Sequence, residues 1–186
     1  MRSPIVNPRR ALAVSAALAA GCALAVSTGP AAASHRAVAA APPACASSSL
    51  VVWLDTQGSG AAGSAFFNLE FTNLGSVSCT LKGYPGVSAI SLNGGQLGSA
   101  ASRNPQHAAV AVTLAPRSTG HVVLRIVDAL NYPKSACAPV NAAGLRVYPP
   151  GQTASKLVPY PFLACSRTGS NYLSVEAAQP GQGGLN

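Results

Sequence analysis

Acidic residues and histidine are scarce in this chain of 186 residues, which has four Asp and Glu side chains and three His. Glycosidases need two facing carboxylates, and serine hydrolases need a base beside the nucleophile. With so few acidic residues and histidines, few pairs of residues in this chain could form either kind of site. Glu70 and Asp128 are the carboxylate pair that a hydrolase hypothesis would test. We expect no catalytic residues, since the Gly-x-Ser-x-Gly elbow is missing and the pattern around Glu70 predicts a solvated position on an outward strand face.

Patterns for metal and nucleic-acid binding are missing as well. His35, His107 and His121 are isolated, and no two cysteines have the short spacing of a zinc knuckle, so we expect neither a metal nor a cofactor. The glycine-rich stretch 58–63 lacks the lysine of a phosphate-binding loop and is expected to be a flexible loop. The basic residues are scattered along the chain, whereas a nucleic-acid footprint needs a cluster, which argues against a nucleic-acid partner.

The first 33 residues have the pattern of an export signal. A basic start precedes an apolar run over residues 11–26, and small residues at 31–33 predict cleavage before Ser34. We therefore expect a secreted protein with no transmembrane segment after processing.

A lipid anchor at Cys22 is the alternative localisation. The residues from Ala19 to Cys22 resemble a lipoprotein cleavage box, which would attach the chain to the cell envelope through Cys22. Against this alternative, the apolar run continues past Cys22, and Ala19 stands where a large aliphatic residue is preferred. Residues 34–44 are rich in Ala and Pro and are expected to form a linker.

Four cysteines remain after the signal is removed: Cys45, Cys79, Cys137 and Cys165. An even number in an exported chain indicates two disulfides, and three pairings are possible. We favour Cys45–Cys79 and Cys137–Cys165, because each of these bonds closes a loop of about thirty residues around neighbouring strands, worth about 3–4 kcal/mol each in chain-entropy models.

Short alternating stretches follow one another along the chain. Residues 64–73 alternate so that Phe67, Leu69 and Phe71 share one face, and residues 121–127 repeat the pattern. Turn signals recur every eight to twelve residues, and no helical period is convincing. The sequence therefore predicts an all-β fold, an antiparallel immunoglobulin-like β-sandwich of about eight or nine strands over residues 45–177. Residues 178–186 are expected to be a disordered tail.

Two turns and one edge strand can be assigned in more detail. Gly83-Tyr84-Pro85-Gly86 has the composition of a type II turn, with Pro in the second position and Gly in the third. Asn93-Gly94-Gly95 is a hairpin signal. Prolines interrupt the stretch Lys156–Phe162. We place this stretch at a sheet edge, because proline has no backbone N–H to donate to a neighbouring strand.

The pattern of cysteines and turns resembles a known family, the secreted domain-of-unknown-function family numbered four-two-three-two. The matching residues are Cys45, Ala62-Gly63, Phe71 to Ser76, Cys79 to Val87, Val112 to Pro116, Cys137 and Cys165. One departure is Arg117, where the family usually has glycine after Ala-Pro. The resemblance implies an envelope-associated protein of high-GC Gram-positive bacteria, and it implies no catalytic residues, since the family carries no agreed activity.

We therefore expect a non-enzymatic module for binding, adhesion or structure, acting as a monomer on an envelope or extracellular partner. The alternatives are a secreted hydrolase or a small-ligand carrier with an apolar pocket between the sheets. Tyrosines are candidates for a contact surface, although such residues more often cover strand edges and turns. The candidates are Tyr84, Tyr148 and Tyr172, with Tyr160 as a further tyrosine of the same kind.

Overall fold

Strands dominate the part of the chain that the computed structural model describes, residues 40–184. The strands are β1 (Leu50–Ala61), β2 (Ser64–Asn73), β3 (Cys79–Lys82), β4 (Gly86–Ile90), β5 (Gln96–Leu97), β6 (Ser102–Arg103), β7 (Ala111–Leu114), β8 (Thr119–Val127), β9 (Pro139–Tyr148), β10 (Lys156–Cys165), β11 (Leu173–Val175) and β12 (Gln179–Pro180). A single-turn helix, α1 (Lys134–Cys137), and 3₁₀ turns at Ser47–Ser49 and Ala129–Asn131 complete the described elements. The prediction of eight or nine strands was too low, because β5, β6 and β12 have two residues each and cannot show an alternating pattern.

The strands form two main sheets and a small pair. One sheet has the order β1-β2-β8-β11-β6, with β12 also pairing with β8, and the other has the order β10-β9-β4-β5. Strands β3 and β7 pair separately. Neighbours are antiparallel except for β11 and β6. The predicted all-β, antiparallel sandwich is confirmed, as is the edge position of Lys156–Phe162, since β10 is the outermost strand of its sheet.

The core lies where the alternating faces of the two sheets meet. The predicted inward residues of β2 and β8 are each at most 7% exposed: Phe67, Leu69, Phe71, Val122, Leu124 and Ile126. The facing sheet contributes the buried residues Val87, Ala89, Leu145, Val147 and Val158. Burying a Val, Leu, Ile or Phe side chain contributes about 1.5–3 kcal/mol, so the period-two pattern both forms the strands and holds the sheets together.

The hairpin of β1 and β2 is longer than the sequence predicted. The glycine-rich stretch 58–63 was expected to be a flexible loop, but β1 continues to Ala61 and pairs with β2 as far as the contact of Ala61 with Ser64. The register between β1 and β2 shifts at a bulge between Asp55 and Ser59. The turn itself needs only Ala62 and Gly63, whose φ angles of 45° and 75° suit the tight turn of a hairpin.

Asn73 organises the turn that leaves β2. Its side chain is 1% exposed, and its Nδ2 donates to the carbonyls of Val77 (2.9 Å) and Leu114 (3.0 Å). Its Oδ1 accepts from the backbone N–H of Gly75 at 2.9 Å. One buried amide therefore closes the turn and joins it to β7.

The next turn differs from the type II assignment. Gly86 belongs to β4 and pairs with Tyr148, while the left-handed residue is Gly83, with φ of 92°. The glycine that the turn requires thus comes before Tyr84-Pro85, not after it. The hairpin predicted at Asn93-Gly94-Gly95 is present and connects β4 to β5.

Both favoured disulfides are confirmed. Cys45–Cys79 ties the segment before β1 to the start of β3, and Cys137–Cys165 ties the end of α1 to the end of β10. Their Cα atoms are 4.8 and 4.5 Å apart.

The end of the expected linker is part of the domain. The backbone N–H of Thr80 donates to the carbonyl of Pro43 at 2.8 Å, and Ala44 forms a bridge with Thr80. Residues 43 and 44 therefore continue the β3 pair. The predicted signal peptide, Cys22 and the first part of the linker lie outside the described residues. Among the helices that the structure describes, none has the length and apolar character to cross a membrane.

Candidate functional site

A cleft of about 510 Å³ opens between the two sheets beside the tip of the β1–β2 hairpin. Strands β2 and β8 form one wall and β10 forms the other. Its lining residues are mainly small or apolar: residues 60–65 of the hairpin, Phe67, Ile126, Val127, Tyr160, Phe162 and Leu163, with Asp128 as the charged member. Such a volume lies within the range of about 300–1,000 Å³ that is usual for small-molecule sites.

Three aromatic rings form a continuous wall of the cleft. The rings of Phe67 and Tyr160 meet edge to face with their centroids 5.0 Å apart, and Tyr160 stacks on Phe162 at 5.9 Å. Phe67 comes from the alternating face of β2, and the other two come from the Pro-interrupted edge strand β10. Tyr160 and Phe162 are only half-buried, so part of each ring remains accessible to a ligand in the cleft.

The opposite rim is held in place by backbone hydrogen bonds. The carbonyl of Gly63 accepts from the backbone N–H of Asp128 and from Nδ2 of Asn131, both at 2.9 Å. The Asp128 carboxylate in turn accepts from the backbone N–H of Leu130 at 2.9 Å and caps the 3₁₀ turn. Gly63 has a left-handed φ of 75°, which favours glycine, and a Cβ at this position would also overlap the amide of Asn131. The cleft therefore has a preformed rim.

The cleft also offers a hydroxyl that stays protonated. Burial raises the pKa of the Tyr160 phenol above its ordinary value of 10. At neutral pH the hydroxyl is therefore a hydrogen-bond donor or acceptor for a ligand and carries no charge. Asp128, which is exposed, places one negative charge at the mouth.

A second unusual place lies on the outer face of the six-stranded sheet. Glu70 was expected to be solvated, but it is 1% exposed because residues Gln179–Gly184, here called the C-terminal strap, cover it. The backbone N–H of Gly183 donates to Glu70 Oε1 at 2.9 Å, while Oε2 is buried without a partner among the described residues. Burial raises the pKa of Glu70, and the Gly183 N–H and the nearby His121 lower it in part.

The prediction of a disordered tail from residue 178 is wrong for the strap. Gln179 and Pro180 form β12 and pair with His121 and Gly120 of β8. The tail was predicted to be disordered because terminal residues are usually poorly ordered unless they are tied down. Here the strap is tied down by the pairing of β12 with β8 and by hydrogen bonds from its backbone to the side chains of Glu70 and His121.

The predicted tyrosine surface is only partly consistent with the structure. Tyr172 is fully buried and its hydroxyl donates to the Leu97 carbonyl at 3.2 Å, so its assignment to a contact surface was wrong. Tyr148 is half-buried. Tyr84 packs against the core, and the Arg103 guanidinium lies 5.5 Å from its ring centroid. Among the four tyrosines considered, Tyr160 is the one that lines the cleft.

The carboxylate pair proposed for a hydrolase is not brought together. Glu70 lies on the outer face of β2, whereas Asp128 lies beyond the pair of Val127 with Ser64 at the end of β8. Six residue steps along β2 separate Glu70 from Ser64, roughly 20 Å of extended strand. Hydrolytic glycosidases hold their carboxylates within about 10 Å of each other.

The two histidines within the described range have structural partners. His107 Nε2 lies 3.4 Å from Glu176 Oε2, and His121 Nδ1 donates to the Gly181 carbonyl at 2.9 Å. His35 lies outside the described residues. Within residues 40–184, no three His, Cys, Asp or Glu side chains gather in a way that could hold a metal ion, and the four cysteines are all bonded in disulfides.

A comparison with family models identifies the domain. The model described as Domain of unknown function (DUF4232) matches residues 45–179. The chain belongs to this family. The match to the DUF4232 model begins at the first disulfide cysteine and reaches the first residue of β12. No curated protein and no solved structure matches the chain.

Sequence reasoning offered an apolar pocket between the sheets as an alternative but did not locate the cleft of this DUF4232 domain. Phe67 was assigned to the core, Tyr160 was a candidate contact residue on an edge strand, and Phe162 was placed on that strand without a role. The available signal was the aromatic pair two residues apart on β10, which places both rings on one face of that strand. Knowing that this face meets Phe67 requires the pairing of the two sheets, which the local sequence pattern does not contain.

Proposed function

We propose that this DUF4232 domain is an exported, non-enzymatic binding module whose cleft holds the apolar or aromatic group of a small molecule. The observation that carries the proposal is the aromatic wall of Phe67, Tyr160 and Phe162 in a cleft of about 510 Å³. A flat apolar group would gain dispersion contacts with the half-buried rings of Tyr160 and Phe162, and the neutral Tyr160 hydroxyl would fix its orientation.

The chemistry of the chain supports export and a role without catalysis. Two disulfides suit an oxidising compartment outside the cytosol, in keeping with the signal-like residues 1–33. The acids Glu70 and Asp128 are far apart, and His107 and His121 each have a structural partner. Binding by a preformed cleft needs none of these groups to react.

Filling the cleft is the direct test of this function. Ala65 lies on the same face of β2 as Phe67 and lines the cleft, so Ala65→Phe adds a ring where the ligand group would sit. We expect the wild-type chain to bind the apolar fluorescent dye ANS saturably, and Ala65→Phe to weaken binding at least tenfold.

A matched control places the same ring on the other face of the hairpin. Ser59 pairs with Phe66 and therefore faces away from the cleft, so Ser59→Phe should bind the dye as the wild type does. Equal dye binding by all three proteins would show that the dye sits elsewhere and would contradict the proposal.

A further inference from the structure

The outer face of the six-stranded sheet carries a polar site beneath the C-terminal strap. In the register of β1, β2 and β8, Trp53, Glu70 and His121 form one row across the sheet, and Asn68 lies in the next row beside Asp55. Outer faces of such sheets usually hold solvated side chains. Here Asn68 and Glu70 are only 2% and 1% exposed.

The strap binds this face mainly through its backbone. The N–H of Gly183 donates to Glu70 and the carbonyl of Gly181 accepts from His121, both at 2.9 Å. Before them, Gln179 and Pro180 add a short antiparallel strand to β8. Recognition of an extended segment through main-chain groups and an added strand is the mode that proteins use for peptides.

The face also selects glycine at one position. A Cβ atom on Gly183 would overlap the Asn68 side chain, which is buried and cannot move into solvent. The next residue, Gly184, has no atom within 4 Å of the place where its Cβ would lie. The requirement for glycine is therefore local to the contact with Asn68.

One polar atom of the site is left unused by the strap. Glu70 Oε2 is buried and has no hydrogen-bond partner among the described residues. A buried polar atom without a hydrogen-bond partner destabilises the arrangement that buries it. A segment that brought a further hydrogen-bonding group to this atom would bind the face better than the strap does.

We propose that this face is a peptide-binding site for an extended, glycine-containing segment of a partner protein. The C-terminal strap occupies the site when no partner is bound, and the partner segment displaces it. The strap is the observed occupant and shows what the site recognises: an added strand on β8, a main-chain N–H for Glu70, a main-chain carbonyl for His121, and glycine over Asn68. Because a tethered segment acts at an effective concentration on the order of mM, a free peptide binds the wild-type chain weakly.

The test frees the face in the full chain and then offers the segment as a separate molecule. Gly183→Ala introduces the Cβ that Asn68 excludes. The probe is a fluorescently labelled, amidated peptide with the sequence of residues 179–184, Gln-Pro-Gly-Gln-Gly-Gly. We expect fluorescence anisotropy to show at least tenfold tighter binding to Gly183→Ala than to the wild type.

Two controls separate the site from a general effect of glycine substitution. Gly184→Ala makes the same change one residue later in open space, so it should bind the peptide as weakly as the wild type. A peptide with alanine in the place of Gly183 should bind the Gly183→Ala chain at least tenfold more weakly than the parent peptide. Hydrogen exchange of the amide at position 183 reports whether the strap has opened, and Gly183→Val replaces Gly183→Ala if that amide stays protected.

Three results would overturn the proposal. The first is an opened strap with no peptide binding up to roughly 10 mM, above the effective concentration of a tethered segment. The second is equal binding to the wild type and to the opened variant, which would place the peptide elsewhere. The third is a wild-type dimer that disappears in Gly183→Ala, which would show that the segment of a second copy is the occupant.

Discussion

Arg117 shows how a single residue departs from what its backbone position favours. It lies between β7 and β8 with φ of 67°, in a turn where the N–H of Ser118 donates to the Ala115 carbonyl at 3.0 Å. A left-handed conformation costs a residue with a side chain about 1–2 kcal/mol relative to the right-handed one.

Replacing Arg117 with glycine should stabilise the domain. Arg117→Gly removes the left-handed strain, while the greater freedom of glycine in the unfolded chain costs about 0.5–1 kcal/mol, so the net gain in unfolding free energy should be roughly 0.5–1 kcal/mol. Urea denaturation measures it. Arg117→Ala removes the charge and keeps the strain, so it should match the wild type; an equal gain in both variants would assign the effect to the charge.

Glu70 should make stability fall as pH rises. Burial raises the pKa of Glu70 above 4.5, with a smaller contribution from Asp55, so the folded state holds this proton more tightly than the unfolded state. Stability is then fully present below the unfolded pKa and is lost as pH rises through the folded pKa. Glu70→Gln stays neutral and should not show this loss.

The measurement is the unfolding free energy of both proteins from pH 4 to pH 8 in urea. The difference between them removes the contributions of the other titrating groups. We expect the stability of Glu70→Gln relative to the wild type to increase with pH. Parallel curves would show that the Glu70 carboxyl titrates alike in the folded and unfolded chains.

At the scale of elements, the long strands were predictable and the strap was not. Strand β2 alternates for its whole length, so Phe67 and Phe71 could be assigned to the core from the sequence alone. Within residues 179–184 the only apolar side chain is that of Pro180, which is exposed. The order of the strap depends on Glu70 and His121, which are far away in the sequence. The burial of Glu70 was missed for the same reason, since its cover is the strap.

The turn after β2 depends on the buried amide of Asn73. Asn73→Ala leaves the carbonyls of Val77 and Leu114 and the N–H of Gly75 without this partner. Because unsatisfied buried groups cost about 1–3 kcal/mol each and some will reach water, we expect a loss of about 2–4 kcal/mol in unfolding free energy.

Thermal and urea denaturation measure the effect of this change. Ser76→Ala, in the same turn, is the matched control and should stay within about 0.5 kcal/mol of the wild type, as surface changes usually do. If Asn73→Ala were as stable as this control, the amide would not hold the turn together.

For the whole molecule, the sequence was enough to predict the two-sheet architecture and both disulfides, but it could not predict the cleft. Alternation and turn spacing are local properties, and the pairing of cysteines followed from which strands neighbour each other. The cleft depends on how the sheets part near the hairpin tip, where Phe67 meets Tyr160 of a strand distant in the sequence.

Each disulfide should contribute substantially to the stability of the whole domain. The sequence separations of 34 and 28 residues are similar, so loop-closure entropy gives each bond about 3–4 kcal/mol. The double variants Cys45→Ala/Cys79→Ala and Cys137→Ala/Cys165→Ala should therefore lose similar amounts of unfolding free energy in urea. A loss below about 1 kcal/mol in either variant would contradict the chain-entropy account for that bond.

The central claim is that the cleft binds an apolar or aromatic group, and a map of amide chemical shifts during a titration with indole tests it most directly. We predict saturable shifts that cluster at residues 60–65, Phe67, Ile126 and Phe162, and their loss in Ala65→Phe. Shifts that are absent, or that cluster away from these residues, would contradict the claim.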